Sequence, residues 1–230
     1  MAYNDHTLLE GFIGTGTHVS WMYNWGQTND GGVDLEFVPM CWGPSSDHAS
    51  SWPANAAAAI AAGSTHLLSF NEPDNAGQAN LSPQDAATAH IKLMNPFEGK
   101  AAIGAPAITN SNSAGQGISW LTSFLSACNG QCAIDFVPIH WYSPADSAGF
   151  LQHLVDVHNA AGKPVWITEF APSGSDDEIN SFLQTVMTAM DTDPQYSFVE
   201  RYSYFMVGAG SLISSGTSLS SYGQTFAYYS

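Results

Sequence analysis

Seven short apolar segments recur along the chain, separated by stretches with helical character. Most are continuous apolar runs, as expected for parallel strands that are covered on both faces. The segments are Val19–Tyr23, Glu36–Met40, His66–Phe70, Ala101–Ala105, Phe136–Ile139, Val165–Thr168 and Tyr202–Met206. Strand and helix alternate with a period of about 30 residues, which indicates βαβ units and a parallel sheet.

The intervening helices carry start and stop signals. Ser82 and Pro83 suit an N-cap and a first helical position, Ser175 and Glu178 form a capping box, and Gly162 suits a helix end. The predicted helices are Ala54–Ala62, one opening at Ser82-Pro83, Ile118–Ala127, Ala148–Ala161 and one from Ser175 to about Met190. Right-handed crossovers of such units close most simply into a (β/α)8 barrel.

Two stretches depart from the ideal barrel pattern. Gly26–Leu35 is polar, rich in glycine and too short for a packed helix, so we expect some helices to be reduced to loops. After Gly208 the chain is rich in serine and glycine, and the eighth strand could be Ser211–Ile213 or Phe226–Tyr229. The sequence therefore predicts an α/β fold, a shortened (β/α)8 TIM barrel, with residues 1–230 as a single domain.

The charge balance narrows the range of partners. Four basic residues stand against twenty acidic ones, a net charge of −16 that repels nucleic acid and anionic membranes. No apolar run approaches the roughly 20 residues of a membrane helix. Charged residues are only 10% of the chain, which suits an extracellular protein acting on a neutral polymer. We expect a secreted or cell-wall monomer whose leader, if any, has been removed.

The three cysteines predict one local crosslink. Cys128 and Cys132 are separated by a turn tight enough for a disulfide, whereas Cys41 lies in an apolar run and is predicted to be a buried thiol. Zinc would need further ligands at short spacing, and none is present. The sequence therefore predicts no metal and no cofactor.

Two glutamates each follow an apolar segment, where a strand would end. Glu72 follows His66–Phe70 and Glu169 follows Val165–Thr168, and barrel active sites lie at such ends. If their carboxylates are about 5–5.5 Å apart, one could attack a sugar's anomeric carbon while the other protonates the leaving oxygen. We expect an apolar rim and the neighbouring carboxylate to raise the acid's pKa. The alternative is that both are ordinary loop glutamates.

Further side chains at predicted strand ends could complete a sugar site. Asn71 could bond a sugar 2-hydroxyl or simply cap the next helix, and Asp74 is predicted to be a loop cap. His140 and Tyr142 share one side of a strand and could both face the cleft. Indoles at the rim could stack on sugar rings or simply pack in the core. The remaining candidates are Trp21, Asn24, Trp25, Trp42, Trp141 and Tyr204.

Five motifs, in this order, resemble glycoside hydrolase family 128. They are Ser20–Trp25, Phe37–Gly43, Phe70–Asp74, Val137–Tyr142 and Trp166–Ala171. The resemblance implies a β-1,3-glucanase with a shortened (β/α)8 barrel, in which Glu72 is the acid/base and Glu169 the nucleophile. It also implies that Asn71, His140, Tyr142 and the rim tryptophans shape the sugar subsites.

The resemblance leaves one discrepancy in the strand count. The wider clan places its glutamates after the fourth and seventh strands, whereas the predicted strands place Glu72 and Glu169 after the third and sixth. We therefore expect an unrecognised early strand, with Gly11–Thr15 as the candidate.

Three functions are compatible with the sequence. The leading hypothesis is a retaining hydrolase of internal or terminal β-1,3-glucosidic bonds, as in laminarin or curdlan. One alternative is a protein that binds β-1,3-glucan with little or no catalysis. Another is a hydrolase of β-1,4 or β-1,6 linkages.

Overall fold

Parallel strands alternate with helices in the structure, a computed structural model that describes residues 1–229. The strands are β1 Trp21–Met22, β2 Glu36–Phe37, β3 His66–Leu67, β4 Ala102–Ile103, β5 Val137–Trp141, β6 Val165–Phe170, β7 Val199–Tyr204, β8 Ile213–Ser215 and β9 Ser218–Leu219. The helices are α1 Ser46–Ala49, α2 Trp52–Ala61, α3 Pro83–Leu93, α4 Gly117–Cys128, α5 Ser147–Ala161, α6 Asp176–Thr192 and α7 Ser221–Tyr228. Three short 3-10 helices are His6–Phe12, Asn95–Phe97 and Pro194–Tyr196. The predicted α/β fold is confirmed.

The parallel pairings pass from strand to strand along the chain. β1 pairs with β2, β3 with β4, and β5, β6 and β7 form one three-stranded sheet. Single parallel bridges connect these sheets and the N-terminal residues: they join Met40 to Leu68, Gly104 to Phe136, Ala2 to Tyr23 and Tyr3 to Val207. The pairings therefore run from Ala2–Tyr3 through β1 to β7 and return to Tyr3.

The early strand missing from the sequence prediction is Ala2–Tyr3, and the candidate Gly11–Thr15 is wrong. Gly11 lies in the 3-10 helix His6–Phe12, which Asp5 caps by accepting a hydrogen bond from Thr7 N. Two paired residues are too few to show any strand periodicity, so the pattern could not reveal them. With this segment counted, Glu72 follows the fourth parallel segment and Glu169 lies on the seventh.

Neither candidate for the eighth strand joins the parallel pairings. β8 and β9 pair with each other as an antiparallel hairpin, and Phe226 lies in α7. α7 begins where the Ser220 hydroxyl accepts from Gly223 N, an N-cap that is not among the predicted helix starts. Together with β1 to β7, the segment Ala2–Tyr3 makes eight parallel segments.

The helices predicted from their start and stop signals are confirmed. All five predicted helices are present, with ends that differ by one or two residues. Ser82 accepts from Asp85 N, and Ser175 forms both bonds of its capping box with Glu178. Gly26–Leu35 contains no helix, as predicted. The short helix α1 was not predicted.

The cysteine predictions are confirmed. Cys128, the last residue of α4, forms a disulfide with Cys132, and the left-handed backbone of Asn129 turns the chain between them. Cys41 is a free, buried thiol, and its burial raises the pKa to about 12. No helix among the described residues is long and apolar enough to cross a membrane.

Two groups of buried residues form the core. The larger one includes the apolar faces of the long helices and the strand residues that meet them. The smaller one, hereafter the inner cluster, consists of Ala2, Trp21, Tyr23, Val38, Met40, Leu68, Phe136 and Trp166. All of its members lie in or next to the parallel segments. The guanidinium of Arg201, paired with Glu36 at 2.7 Å, lies 4.6 Å from the Trp166 ring beside this cluster.

Candidate active site

A cleft of about 960 Å³ lies where the parallel segments end. It joins residues that are far apart in the sequence, because the carboxyl ends of parallel strands meet on one side of the fold. Six of the predicted site residues line it: Trp25, Trp42, Asn71, Glu72, Tyr142 and Glu169.

Glu72 is buried in the cleft wall with both carboxylate oxygens occupied. His140 Nδ1 lies 2.8 Å from its Oε1, and Asn75 Nδ2 donates to Oε2 at 2.8 Å. Because a carboxylate only accepts, the proton of the first bond belongs to His140. The backbone of Glu72 has φ 43°, a left-handed conformation that side chains rarely adopt and that is common at functional sites.

The pKa of Glu72 lies below its ordinary value, the opposite of the expected shift for the acid. Burial raises it, but the hydrogen bond and charge of His140 and the bond from Asn75 outweigh burial. The prediction considered an apolar rim and a second carboxylate. It did not anticipate a protonated imidazole in direct contact.

Glu169 accepts hydrogen bonds from two side chains of different segments, and His140 lies beside it. Trp25 Nε1 donates to its Oε1 at 2.7 Å, the Tyr142 hydroxyl donates to Oε2, and His140 Nδ1 lies 3.4 Å from Oε2. Burial, followed by the negative charge of Glu169 and the hydrogen bond to it, raises the pKa of Tyr142, so its hydroxyl keeps its proton. The bonds from Trp25 and Tyr142 hold the Glu169 carboxylate in one orientation.

His140 lies within 3.4 Å of both glutamates and is completely buried. Burial lowers its pKa, but the charges of Glu169 and Glu72 outweigh burial, and the pKa is raised. One oxygen of Glu72, Nδ1 of His140 and one oxygen of Glu169 all lie within 4.8 Å of one another. The expectation that His140 contacts substrate is wrong, because its side chain has no exposed surface.

The same three side chains, Glu72, His140 and Glu169, lie close enough together to bind a metal ion. Among residues 1–229, they form the group whose donor atoms are close enough to hold an ion. A shared proton already occupies these atoms, since His140 donates to Glu72 at 2.8 Å. The prediction of no metal stays a prediction.

Two predicted tryptophans point away from the cleft. Trp21 is 4% exposed, and in the inner cluster it stacks with Tyr23 and packs at a tilt against Trp166. Trp141 packs edge-on against Phe150 of α5. Neighbouring side chains on a strand point to opposite faces, so Trp141 cannot share the face of its neighbour His140.

Tyr204 and Asn24 also lie outside the cleft lining. Tyr204 is buried against Phe170 and Tyr222, on the helix side of β7. Asn24 accepts from Gly26 N and donates to Asp30 Oδ1, so it stabilises the loop after β1. Neither side chain lines the cleft, and contact of either residue with sugar stays a prediction.

The cleft also includes residues outside the predicted sugar contacts, of which Phe205, Thr109 and Asn110 were predicted to lie at strand ends on the same rim. Phe205 packs edge-on against both Trp25 and Tyr142, the two donors to Glu169. Its position directly after β7 is the signal that could have identified it. The other additional lining residues are Asn4, Asn75, Gln78, Thr109, Asn110, Ser111 and Gln116.

Asp74 fixes one wall of the cleft, in agreement with its predicted role as a loop cap. Its buried carboxylate accepts from Thr109 N, from the Thr109 hydroxyl at 2.6 Å and from Gly117 N at 2.7 Å. These bonds connect the loop after β3 to the loop between β4 and α4, which supplies several lining residues.

Replacing Asp74 with alanine should therefore lower the free energy of unfolding by about 3 kcal/mol, because three buried donors lose their acceptor. Chemical denaturation would measure the change. Asp34→Ala, at an exposed aspartate without a side-chain hydrogen bond in the described chain, is the matched control. Equal stabilities of the two variants would contradict this role.

Comparison with known proteins agrees with the site. The family model described as glycosyl hydrolase catalytic core matches residues 1–226. The chain is 33% identical to alkali-sensitive linkage protein 1 of Schizosaccharomyces pombe over 246 residues, which cover 98% of this chain. It spans only 42% of the length of that curated relative.

The chain also resembles solved structures of glycoside hydrolases. A GH128 subgroup III curdlan-specific exo-β-1,3-glucanase from Blastomyces gilchristii, in complex with glucose, superimposes with a TM-score of 0.89 at 39% identity. This match covers 98% of our chain and 95% of the other. A subgroup I endo-β-1,3-glucanase from Amycolatopsis mediterranei, with bound laminaripentaose, has a TM-score of 0.77 at 26% identity, covering 98% and 96%.

The fold and the paired carboxylates thus define a glycoside hydrolase catalytic core. The chain belongs to the glycosyl hydrolase catalytic core family and, within it, to glycoside hydrolase family 128.

Proposed function

We propose that the protein is a retaining β-1,3-glucan hydrolase, with Glu72 as acid/base and Glu169 as nucleophile. The observation that carries this proposal is the carboxylate pair: one oxygen of each lies within 4.8 Å of the other in a large polar cleft. Retaining enzymes have carboxyl groups about 5–5.5 Å apart, whereas inverting ones need about 6.5–9.5 Å for a water molecule. The β-1,3 linkage is supported by the solved relatives, which are described as β-1,3-glucanases.

We also infer that residues 1–230 form one domain, a shortened (β/α)8 barrel with some helices reduced to loops. The return of the parallel pairings from Val207 to Tyr3 supports closure. The inner cluster would then fill the barrel interior, as side chains do in small barrels. Its carboxyl end would be the rim that carries both glutamates.

In the first step, Glu169 attacks the anomeric carbon and the glycosidic oxygen leaves with a proton from Glu72. Glu169 suits the attack because Trp25 and Tyr142 hold its oxygens in place. In the second step, Glu72 takes a proton from water, and that water releases the sugar from Glu169.

His140 supplies the proton that Glu72 lacks in the free protein. The hydrogen bond of 2.8 Å between them is a direct path for proton transfer. A bound sugar would displace water from Glu72, and a less polar surrounding favours the neutral pair over the ion pair. Glu72 would thereby become an acid when substrate binds.

Contacts to the sugar are proposed for four cleft residues. Asn71 Oδ1 is buried and has no hydrogen-bond partner in residues 1–229, so a sugar 2-hydroxyl could donate to it. Trp25 and Trp42 offer indole surface on the cleft wall, and Tyr142 is 41% exposed beside Glu169. These contacts would orient a glucosyl ring over the carboxylate pair.

Location and partners are proposed on physical grounds. The disulfide Cys128–Cys132 favours an oxidising compartment, and the scarcity of charge suits a neutral glucan as partner. We propose a secreted or cell-wall monomer that binds no nucleic acid and no membrane.

A panel of linear glucans tests the function. We expect release of reducing sugar from laminarin and curdlan, and little from β-1,4- or β-1,6-linked glucans. Product analysis over time then separates exo action, which yields one short product from the start, from endo action, which yields a ladder. Exclusive cleavage of a β-1,4-glucan would contradict the assignment.

The lowered pKa of Glu72 favours a second candidate, a glucan-binding protein with weak catalysis. An acid that is ionised in the free protein catalyses poorly unless its proton is restored. Tight laminarioligosaccharide binding without turnover during long incubation would support this candidate, and rapid turnover would exclude it.

The pH dependence of activity should show whether His140 shares its proton with Glu72. Because the pKa of His140 is raised, it keeps its proton above its ordinary pKa of about 6.5, and kcat/KM should fall only as pH rises through the raised value. In His140→Gln the remaining proton is on Glu72 alone, so the basic limb should move down by about one pH unit or more. An unchanged basic limb in this variant would contradict the proton transfer proposed here.

A further inference from the structure

A second cavity of about 300 Å³ adjoins the cleft, and we name it the side pocket. Asn110 lines both cavities. Its Nδ2 donates to Ser143 Oγ at 2.9 Å, and its Oδ1 accepts from Tyr142 N at 3.2 Å. Tyr142 faces the cleft, while Trp141 and Ser143 on either side of it line the side pocket. The two cavities thus share Asn110, and consecutive residues of the segment 141–143 line one or the other.

Two buried polar groups in the wall of the side pocket are unpaired. Trp141 is 8% exposed and His153 is 9% exposed, and their rings lie 5.3 Å apart. Neither Trp141 Nε1 nor His153 Nε2 has a hydrogen-bond partner within residues 1–229. An unpaired buried polar group is costly, so a polar group that reached either atom would be stabilising.

The side chains that line the side pocket restrict which ligand could bind there. Asn112, Gln152 and Ser143 offer neutral hydrogen-bonding groups, and no lysine or arginine lines the side pocket. Asp156 carries the only formal charge there, and it would repel a phosphate or carboxylate. Burial lowers the pKa of His153, which keeps its ring neutral. A neutral ligand with several hydroxyl groups fits these walls, and a sugar ring has that chemistry.

We propose that the side pocket binds a single glucosyl branch of a β-1,3-glucan whose main chain lies in the cleft. The proposal depends on the glucan hydrolase function above. Tyr142 places the branch near the reacting bond, because its hydroxyl contacts Glu169 while its neighbours line the pocket. The branch would make the enzyme prefer glucans substituted at that sugar unit.

Filling the side pocket tests the proposal. Gln152 is exposed on α5 and lines the pocket, so Gln152→Trp should block it without disturbing the fold. Gln184→Trp, at an exposed glutamine of α6 outside the pocket, is the matched control. Both changes are made in Glu169→Gln protein, so that binding is measured without cleavage.

Calorimetry should compare a linear laminarioligosaccharide with one of equal length that carries one β-1,6-linked glucosyl branch. We expect the branched ligand to bind at least about tenfold more tightly to the parent protein and to Gln184→Trp. Gln152→Trp should lose this preference and bind the linear ligand within about twofold of the parent.

Two results would overturn the proposal. One is that the parent protein shows no preference for the branched ligand. The other is that Gln152→Trp loses the same affinity for the linear ligand as for the branched one. Failure of the parent to bind or cleave any glucan would instead contradict the function proposed above.

Discussion

Replacing Glu169 with alanine should lower kcat on laminarin by roughly four orders of magnitude, because the covalent intermediate loses its attacking group. Two side chains donate hydrogen bonds to the Glu169 oxygens, Trp25 Nε1 and the Tyr142 hydroxyl, and neither can replace the carboxylate that alanine removes. Initial rates of reducing-sugar release would measure the change. A small anion should enter the space left by the carboxylate. With an aryl β-laminaribioside, azide should therefore restore turnover and give the α-glycosyl azide.

Glu98→Ala is the control for this experiment, since Glu98 is exposed and far from the cleft lining. It should leave kcat and KM unchanged. Wild-type activity in Glu169→Ala would refute the two-carboxylate mechanism. A β-glycosyl azide from the same variant would show that Glu169 is the acid/base and not the nucleophile.

Replacing Glu72 with alanine should lower kcat on laminarin by about 10³-fold, because the leaving oxygen is no longer protonated. For an aryl glycoside whose phenolate leaves without a proton, kcat/KM should be nearly unchanged, because only the later release of the sugar from Glu169 still needs Glu72 as a base. Here azide should attack the sugar bound to Glu169 and give the β-glycosyl azide. The two variants thus yield products of opposite configuration from the same substrate.

This pair of experiments also distinguishes the hydrolase from the binding protein. A protein that only binds glucan would show the same low rate before and after either substitution. Equal losses on laminarin and on the activated aryl substrate in Glu72→Ala would contradict the acid role. They would instead indicate that Glu72 matters only for the position of His140.

The local elements could be predicted because their signals are contiguous in the sequence. The capping box at Ser175, the turn at Gly162 and the disulfide between Cys128 and Cys132 each depend on residues a few positions apart. The same holds for the two glutamates at strand ends. The Ala2–Tyr3 segment could not be predicted, because only its bridges to Tyr23 and Val207 make it a strand.

The tryptophans show most clearly what could not be predicted from the sequence. Seven tryptophans are visible in the sequence, but the face on which each lies depends on pairing. Trp25 and Trp42 face the cleft, while Trp21 and Trp141 face other parts of the core. A shift of one position reverses the direction of a strand side chain, and short strands with bulges hide that register.

By itself, the sequence determined the α/β alternation, the positions of most helices, the local disulfide and the two glutamates that the chain would deliver to one rim. Only the tertiary structure decided what surrounds those glutamates. His140 comes from a different strand than either of them, and its proton reverses the expected pKa shift of Glu72. Electrostatic interactions depend on distance in space and on burial, and neither can be read from separation along the chain.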